Sequence, residues 1–205
     1  MSQDTELEHL HPNFAVRVEQ LLDFAQRVKN MPIELYEGWR SPDRQALLYA
    51  KGRAAGVGEP GHHVTFERAW QSSHQYGMAG DFVWFLDGKW SWEPPAGHSW
   101  QELYEIADKI GLQHLDFEKP HLQMPNFSGR RVLSGQDKLP PDGGSDWEVN
   151  MEQAIIAWGP QPKVVSGILH PGAPSPPGEE RPVIQVPEGM VWDDRKGTLV
   201  PAGVV

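Results

Sequence analysis

Ser72-Ser73-His74-Gln75-Tyr76-Gly77-Met78-Ala79-Gly80-Asp81, followed some forty residues on by Glu118-Lys119-Pro120-His121-Leu122-Gln123, dictates what this chain must fold into. His74, Asp81 and His121 are of the types that hold a catalytic zinc, which takes three such ligands at about 2.0 to 2.2 Å and keeps a fourth position open. The spacing from His74 to Asp81 spans roughly 10 Å on a straight helix and more than about 20 Å on a straight strand, so the chain has to double back between them. Gly77 and Gly80 permit the return, because glycine accepts positive φ and close backbone approach. The run Phe82-Val83-Trp84-Phe85-Leu86 is β-branched and aromatic, so Asp81 is expected to open a buried strand. Pro120 biases Lys119 towards an extended conformation, which puts His121 on a second strand or at a sharp turn from another part of the sheet.

Glu118 then lies one short turn from a ligand without being one. A carboxylate so placed can take a proton from an activated water and pass it to a leaving amine, with Asp116 as the runner-up for that role. A single His is more often structural than a ligand, and the chain has nine, so the weight rests on the joint pattern. His62 and His63 are adjacent and point to opposite faces of an extended chain, which makes them rim residues. Gly56-Val57-Gly58-Glu59-Pro60-Gly61 spells Gly-x-Gly-x-x-Gly, but it contains Pro60 and opens no helix, so it reads as a loop beside the cleft and not as a dinucleotide site. Neither His-Glu-x-x-His nor Gly-x-Ser-x-Gly occurs.

At the first of these stretches the chain resembles the zinc D-Ala-D-Ala metallopeptidase family, the LAS enzymes, whose pattern Ser-x-His-x-x-Gly-x-Ala-x-Asp is met by Ser72, His74, Gly77, Ala79 and Asp81. The second element, a Glu three residues before the last His ligand, is met by Glu118 and His121. Upstream, Gly38-Trp39-Arg40-Ser41-Pro42-Asp43-Arg44-Gln45 is similar to the family's Gly-x-Arg-Ser segment, and Val64-Thr65 to a pair ahead of the His segment. The likeness covers residues 13–125. It implies a zinc cofactor, a role for Arg40 in binding substrate and stabilising the oxyanion, and a place for Gln45 near the cleft. A fixed guanidinium beside a carbonyl oxygen suits that role, because it stabilises charge that develops only in the transition state. Without the resemblance, Arg40 reads as a surface ion pair with Glu37 or Asp43. Ser72 is either a substrate-side or supporting hydrogen-bond group, or simply the cap of the turn.

The remaining sequence supplies the frame. Residues 14–29 repeat apolar positions at helical spacing, a strand is expected over residues 33–36, and Pro42 starts a second helix running to Lys51. Ser99 is placed to cap a helix over residues 100–110 that Gly111 ends. Leu112 to Phe117 and Pro120 to Gln123 read as strands. The fold class is α+β, a small antiparallel sheet carrying the site and flanked by helices, as in hedgehog and D-Ala-D-Ala peptidase folds. Nine tryptophans are many for this length; most suit core packing, and some suit a groove for glycan or peptide.

Residues 1–135 are expected to form the catalytic domain, 136–145 a polar linker, and 146–205 a Pro/Gly-rich extension that docks a partner such as a phage tail component or binds the wall. Nine of the nineteen prolines fall in residues 160–205, where short strand-like pieces are expected at residues 163–168, 182–186, 190–192 and 198–200. With no cysteine, there is neither a disulfide framework nor a thiolate zinc site. The net charge of −10 divides into −6 over residues 1–145 (14 Lys and Arg against 20 Asp and Glu) and −4 beyond (4 against 8), unsuited to nucleic acid or an anionic surface. Wall affinity must then come from shape and stacking. The polar, acidic start and the lack of a long apolar run imply synthesis in the cytoplasm without a signal peptide, and action on the wall after release or as part of a virion.

The expected function is zinc-dependent cleavage of the peptidoglycan stem peptide at the L-alanyl-D-glutamate bond, as in the family's phage-type endopeptidases. Two alternatives stand beside it: D-alanyl-D-alanine carboxypeptidase or dipeptidase activity, and a non-catalytic, zinc-stabilised assembly protein.

Overall fold

Phe14, Val18 and Leu21 fall on one stripe of the first helix, α1 (Pro12–Asp23), and all three are buried. Pro12 starts this helix, and the His11 side chain caps it by accepting from the Asn13 amide. A π-helical turn (Phe24–Val28) continues it, a widening the sequence does not announce. The structure, a computed structural model, describes residues 3–53, 57–58, 61–138, 146–158, 190–193 and 198–201, the last two stretches as backbone only.

Strands β1 (Ile33–Glu37), β2 (Ala79–Leu86), β3 (Lys89–Ser91), β4 (Gln113–Leu115) and β5 (Glu118–Gln123) form one antiparallel sheet in the order β1-β2-β5-β4, with β3 pairing the far end of β2. Alternation along β2 sends Phe82 and Trp84 into the main core with Phe14, Ile33, Leu103 and Leu122, while Asp81 and Val83 face the other way. Each large apolar side chain so buried contributes about 1.5 to 3 kcal/mol. Helix α2 (Pro42–Ala50) begins at a Ser41 cap. Helix α3 (Trp100–Lys109) begins at a Ser99–Glu102 capping box, and Gly111 beyond its end has φ +77°. The strand pairing β1–β2 carries a bulge: Leu35 opposes Phe82 and Glu37 opposes Asp81, leaving Tyr36 as the extra residue.

Past the short helix α4 (Gly129–Leu133) comes helix α5 (Asp146–Trp158), which the sequence reading does not contain. Its Trp147, Met151, Ala154 and Trp158 pack with Ala69, Trp70, Tyr76 and Met78 in a second core cluster. Residues 146–158 are thus joined to the region expected to be catalytic. The pieces expected at 190–192 and 198–200 are strands β6 (Met190–Asp193) and β7 (Thr198–Pro201), paired antiparallel. Those expected at 163–168 and 182–186, and residues 139–145 of the linker, lie outside the described residues, as do Gly56, Glu59 and Pro60 of the glycine-rich loop. No helix among the described residues is long and apolar enough to cross a membrane.

Candidate metal centre

Ser72 caps a single 3-10 turn, Ser73–Tyr76, through a capping box with Gln75, and this turn presents His74. Gly77 follows at φ +64°, and a Cβ there would stand 2.6 Å from the His11 backbone nitrogen, so glycine is required on both counts. The chain then enters β2 and places Asp81 directly opposite His121 of β5. Gly80 serves close approach and not positive φ: its Cβ would meet Leu35 Cδ1 at 2.9 Å.

The turn and the pairing bring three atoms together. His74 Nε2 lies 3.2 Å from His121 Nδ1 and 3.4 Å from Asp81 Oδ1, and His121 Nδ1 lies 3.3 Å from Asp81 Oδ1. A tetrahedral ion with bonds of about 2.0 to 2.1 Å has ligand-to-ligand edges of about 3.3 to 3.4 Å, so the triangle is one face of a zinc-sized tetrahedron. All three residues are buried. The far side of each ring is also committed. His74 Nδ1–H donates to the Gly38 carbonyl at 2.7 Å, and His121 Nε2–H donates to Gln123 Oε1 at 3.1 Å, which leaves the two inward nitrogens with lone pairs. Burial, helped by the Arg40 charge, depresses the His74 pKa to about 4, against the opposing pull of Asp81. Burial also acts to lower His121, but the Asp81 hydrogen bond, the charges of Glu118 and Asp81 and the Gln123 hydrogen bond outweigh it and raise its pKa.

Arg40 is buried beside this triangle. Its Nη2 donates to Asp81 Oδ2 at 2.7 Å and lies 3.5 Å from His74 Nε2, its Nε donates to Glu37 Oε2 at 3.0 Å, and its Nη1 donates to Gln45 Oε1 at 2.9 Å. The ion pair with Glu37 is therefore real, but internal. Glu37 is fully buried and also binds Arg44. Gln45 is fully buried as well: its Oε1 accepts from Gln75 Nε2, and its Nε2 donates to Thr65 Oγ1 and to the Glu67 carbonyl. Ser72 Oγ accepts from the His74 amide. The hydrogen bonds of Gln45 and Ser72 thus tie the site to the fold.

Glu118 opens β5, half-buried and close enough for its charge to raise His121. Asp116 is 97% exposed and pairs with His114. His62 is exposed, His63 sits edge-on to Phe66, His98 stacks on Trp84 and His114 on Tyr104. Sequence reasoning missed the buried carboxylate of Glu37, the Gly38 carbonyl and the orienting amide of Gln123. The spacing of Glu37 three residues before Arg40 was the one available signal.

No protein-family model matches the chain. Among solved structures it is similar to the L-Ala D-Glu endopeptidase ChiX of Serratia marcescens (23% identity, 58% of this chain and 82% of that one, TM-score 0.37). It is also similar to the LD-carboxypeptidase LdcB (21% identity, 65% and 70%, TM-score 0.43). In sequence it is 32% identical over 130 residues to the peptidoglycan L-alanyl-D-glutamate endopeptidase CwlK of Bacillus subtilis (strain 168), a match that covers 57% of this chain and 75% of that relative. With three quarters of that relative matched, and with His74, Asp81 and His121 gathered as the motif requires, the chain belongs to the zinc D-Ala-D-Ala metallopeptidase family, the LAS peptidases.

Proposed function

We propose that this protein is a zinc-dependent peptidoglycan peptidase that cleaves the stem peptide at the L-alanyl-D-glutamate bond. The observation that carries this reading is the buried triangle of His74 Nε2, Asp81 Oδ1 and His121 Nδ1, whose edges suit zinc and whose lone pairs face inward. The name of the relative CwlK supports the choice of bond. Zinc held by these three residues would supply Lewis acidity and a water acidic enough to ionise near neutral pH. Glu118 takes the proton of the attacking water and delivers it to the departing amine. Arg40 donates to the Asp81 carboxylate, and its charge, close to the triangle, stabilises the oxyanion that develops on the scissile carbonyl. Gln45 fixes Arg40 on the substrate side, and Ser72 sets the turn that presents His74.

Residues 1–135 together with helix α5 form the catalytic unit in this proposal, and the chain beyond residue 158 is an arm for docking or wall binding. Delivery by phage lysis or as part of a virion rests on the sequence resemblance to the phage-type subgroup. The test is digestion of purified peptidoglycan by the zinc-loaded protein and by its Glu118→Ala variant, with the released termini identified by mass spectrometry. New N-terminal D-glutamate from the unaltered protein alone is expected. Release of free D-alanine moves the activity to the carboxypeptidase branch, and no cleavage of several wall types with zinc confirmed bound overturns the enzymatic reading.

A further inference from the structure

The face of the sheet that carries Asp81 and His121 does not end at the metal centre. Alternation along β2 places Asp81, Val83 and Phe85 on that face, and the strand pairing sets Trp90 of β3 opposite Phe85. Tyr36, the extra residue of the bulge beside Asp81, reaches across to this end: its ring lies 5.2 Å from Trp90 and 4.8 Å from Trp92, edge to face with both. Val83, on the strand between, is fully buried. Tyr36 is itself buried and pinned by a hydrogen bond from Gln3 to its hydroxyl, so Trp90 is held from below by a fixed support. Yet Trp90 is 53% exposed and its strand partner Phe85 37% exposed. A large ring held in place and left half in water on the reactive face marks a contact surface more than a packing residue.

Four residues of strand separate Phe85 from Asp81, which puts the Trp90 ring about 13 Å along the sheet from the metal centre. In peptidoglycan, the L-alanine that precedes the scissile bond is joined through a lactyl group to an amino sugar of the glycan strand. One residue spans about 3.5 Å, and the lactyl link and first sugar cover the rest of the gap. The chemistry of the surface agrees with such an occupant. N-acetylated amino sugars are uncharged and present a C–H-rich face that suits an aromatic ring, and a protein of net charge −10 has no general attraction for anionic wall polymers. Glu34, opposite Val83 and two residues before Tyr36, adds a carboxylate on the same face for sugar hydroxyls and amides.

We propose that Trp90 is a stacking platform for a sugar ring of the glycan strand, so that the enzyme reads the stem peptide together with the sugar that bears it. This rests on the stem-peptide reading above. The test compares kcat/KM for a disaccharide-linked stem peptide and for the same peptide free, in the unaltered protein and in Trp90→Ala and Trp90→Phe. The ratio of linked to free is expected to fall about tenfold in Trp90→Ala and to be largely kept in Trp90→Phe. An unchanged ratio overturns the platform, as does loss on the free peptide equal to that on the linked one, which would place the ring against the peptide. A second measurement separates the two readings: titration of the disaccharide alone, its lactyl carboxyl blocked as the methyl amide to keep it neutral, followed by the NMR signal of the Trp90 indole. A shift is expected whether or not any peptide is cut, and no shift at saturating disaccharide overturns the platform even in an active enzyme.

Discussion

Replacing Glu37 by Gln removes one negative charge from beneath the metal centre and almost nothing else. Glu37 has no exposed surface, and the side chains of its partners Arg40 and Arg44 are 3% and 6% exposed. In the variant Arg44 loses the Glu37 carboxylate, Arg40 loses it too while keeping Asp81 and Gln45, and a Gln amide group turned towards either guanidinium sets donor against donor. Breaking a buried pair by neutralising one member typically costs about 3 to 5 kcal/mol. For a chain of this length, that corresponds to a fall in Tm of roughly 6 to 20 °C. The measurement is urea and thermal unfolding at pH 7 in the presence of a chelator, which keeps metal binding out of the comparison. Arg44→Met and the double variant complete a cycle, and the double change is expected to cost less than the sum of the singles by at least about 1 kcal/mol. A loss below about 1 kcal/mol for Glu37→Gln, the range of an exposed ion pair, would falsify the internal-neutralisation argument.

Three further outcomes are expected. Gly77→Ala has to hold a side chain at φ +64° and 2.6 Å from the His11 nitrogen, and should lose at least about 2 kcal/mol of stability together with zinc affinity, measured by denaturation and metal titration. Trp158→Ala empties a fully buried site in the second cluster and should cost about 3 to 5 kcal/mol; a cost under 1 kcal/mol would show that helix α5 is not part of the catalytic unit. In metal-free protein, imidazole NMR should show His121 taking a proton above the usual imidazole value, because its pKa is raised, while His74 stays neutral with its proton on Nδ1 until the pH nears 4. Protonation of His74 first would contradict the proton assignments at the site.

The clustering of His74, Asp81 and His121 was legible because metal chemistry demands particular residue types, and because the Gly77 turn and the aromatic run after Asp81 are local signals. Helix α3 was legible from Ser99 and Gly111 for the same reason. Helix α5 was not. Its Trp and Met residues face the core while Val149, Ile155 and Ile156 face outward, so no single apolar stripe stands out. The buried state of Glu37 was hidden too. Strict alternation along Ile33-Glu34-Leu35-Tyr36-Glu37 puts Glu37 on the face of Ile33 and Leu35, and only the bulge at Tyr36, a property of the pairing and not of the strand, carries it to the face of Asp81. The bonds of Gly38 and Gln123 to the two imidazoles link segments whose sequences say nothing of each other.

Trp147 of helix α5 donates its indole hydrogen to the Tyr76 carbonyl at 3.0 Å, and its ring fills the space a side chain at Gly77 would need. That contact is two residues in sequence from His74. It sets a rule for recombination between relatives: an exchange of C-terminal parts made ahead of residue 146 swaps a support of the metal centre along with the tail, whereas a joint after Trp158 leaves that support intact. Chimeras built at the first junction should lose zinc affinity even when every ligand is retained, and those built at the second should keep it.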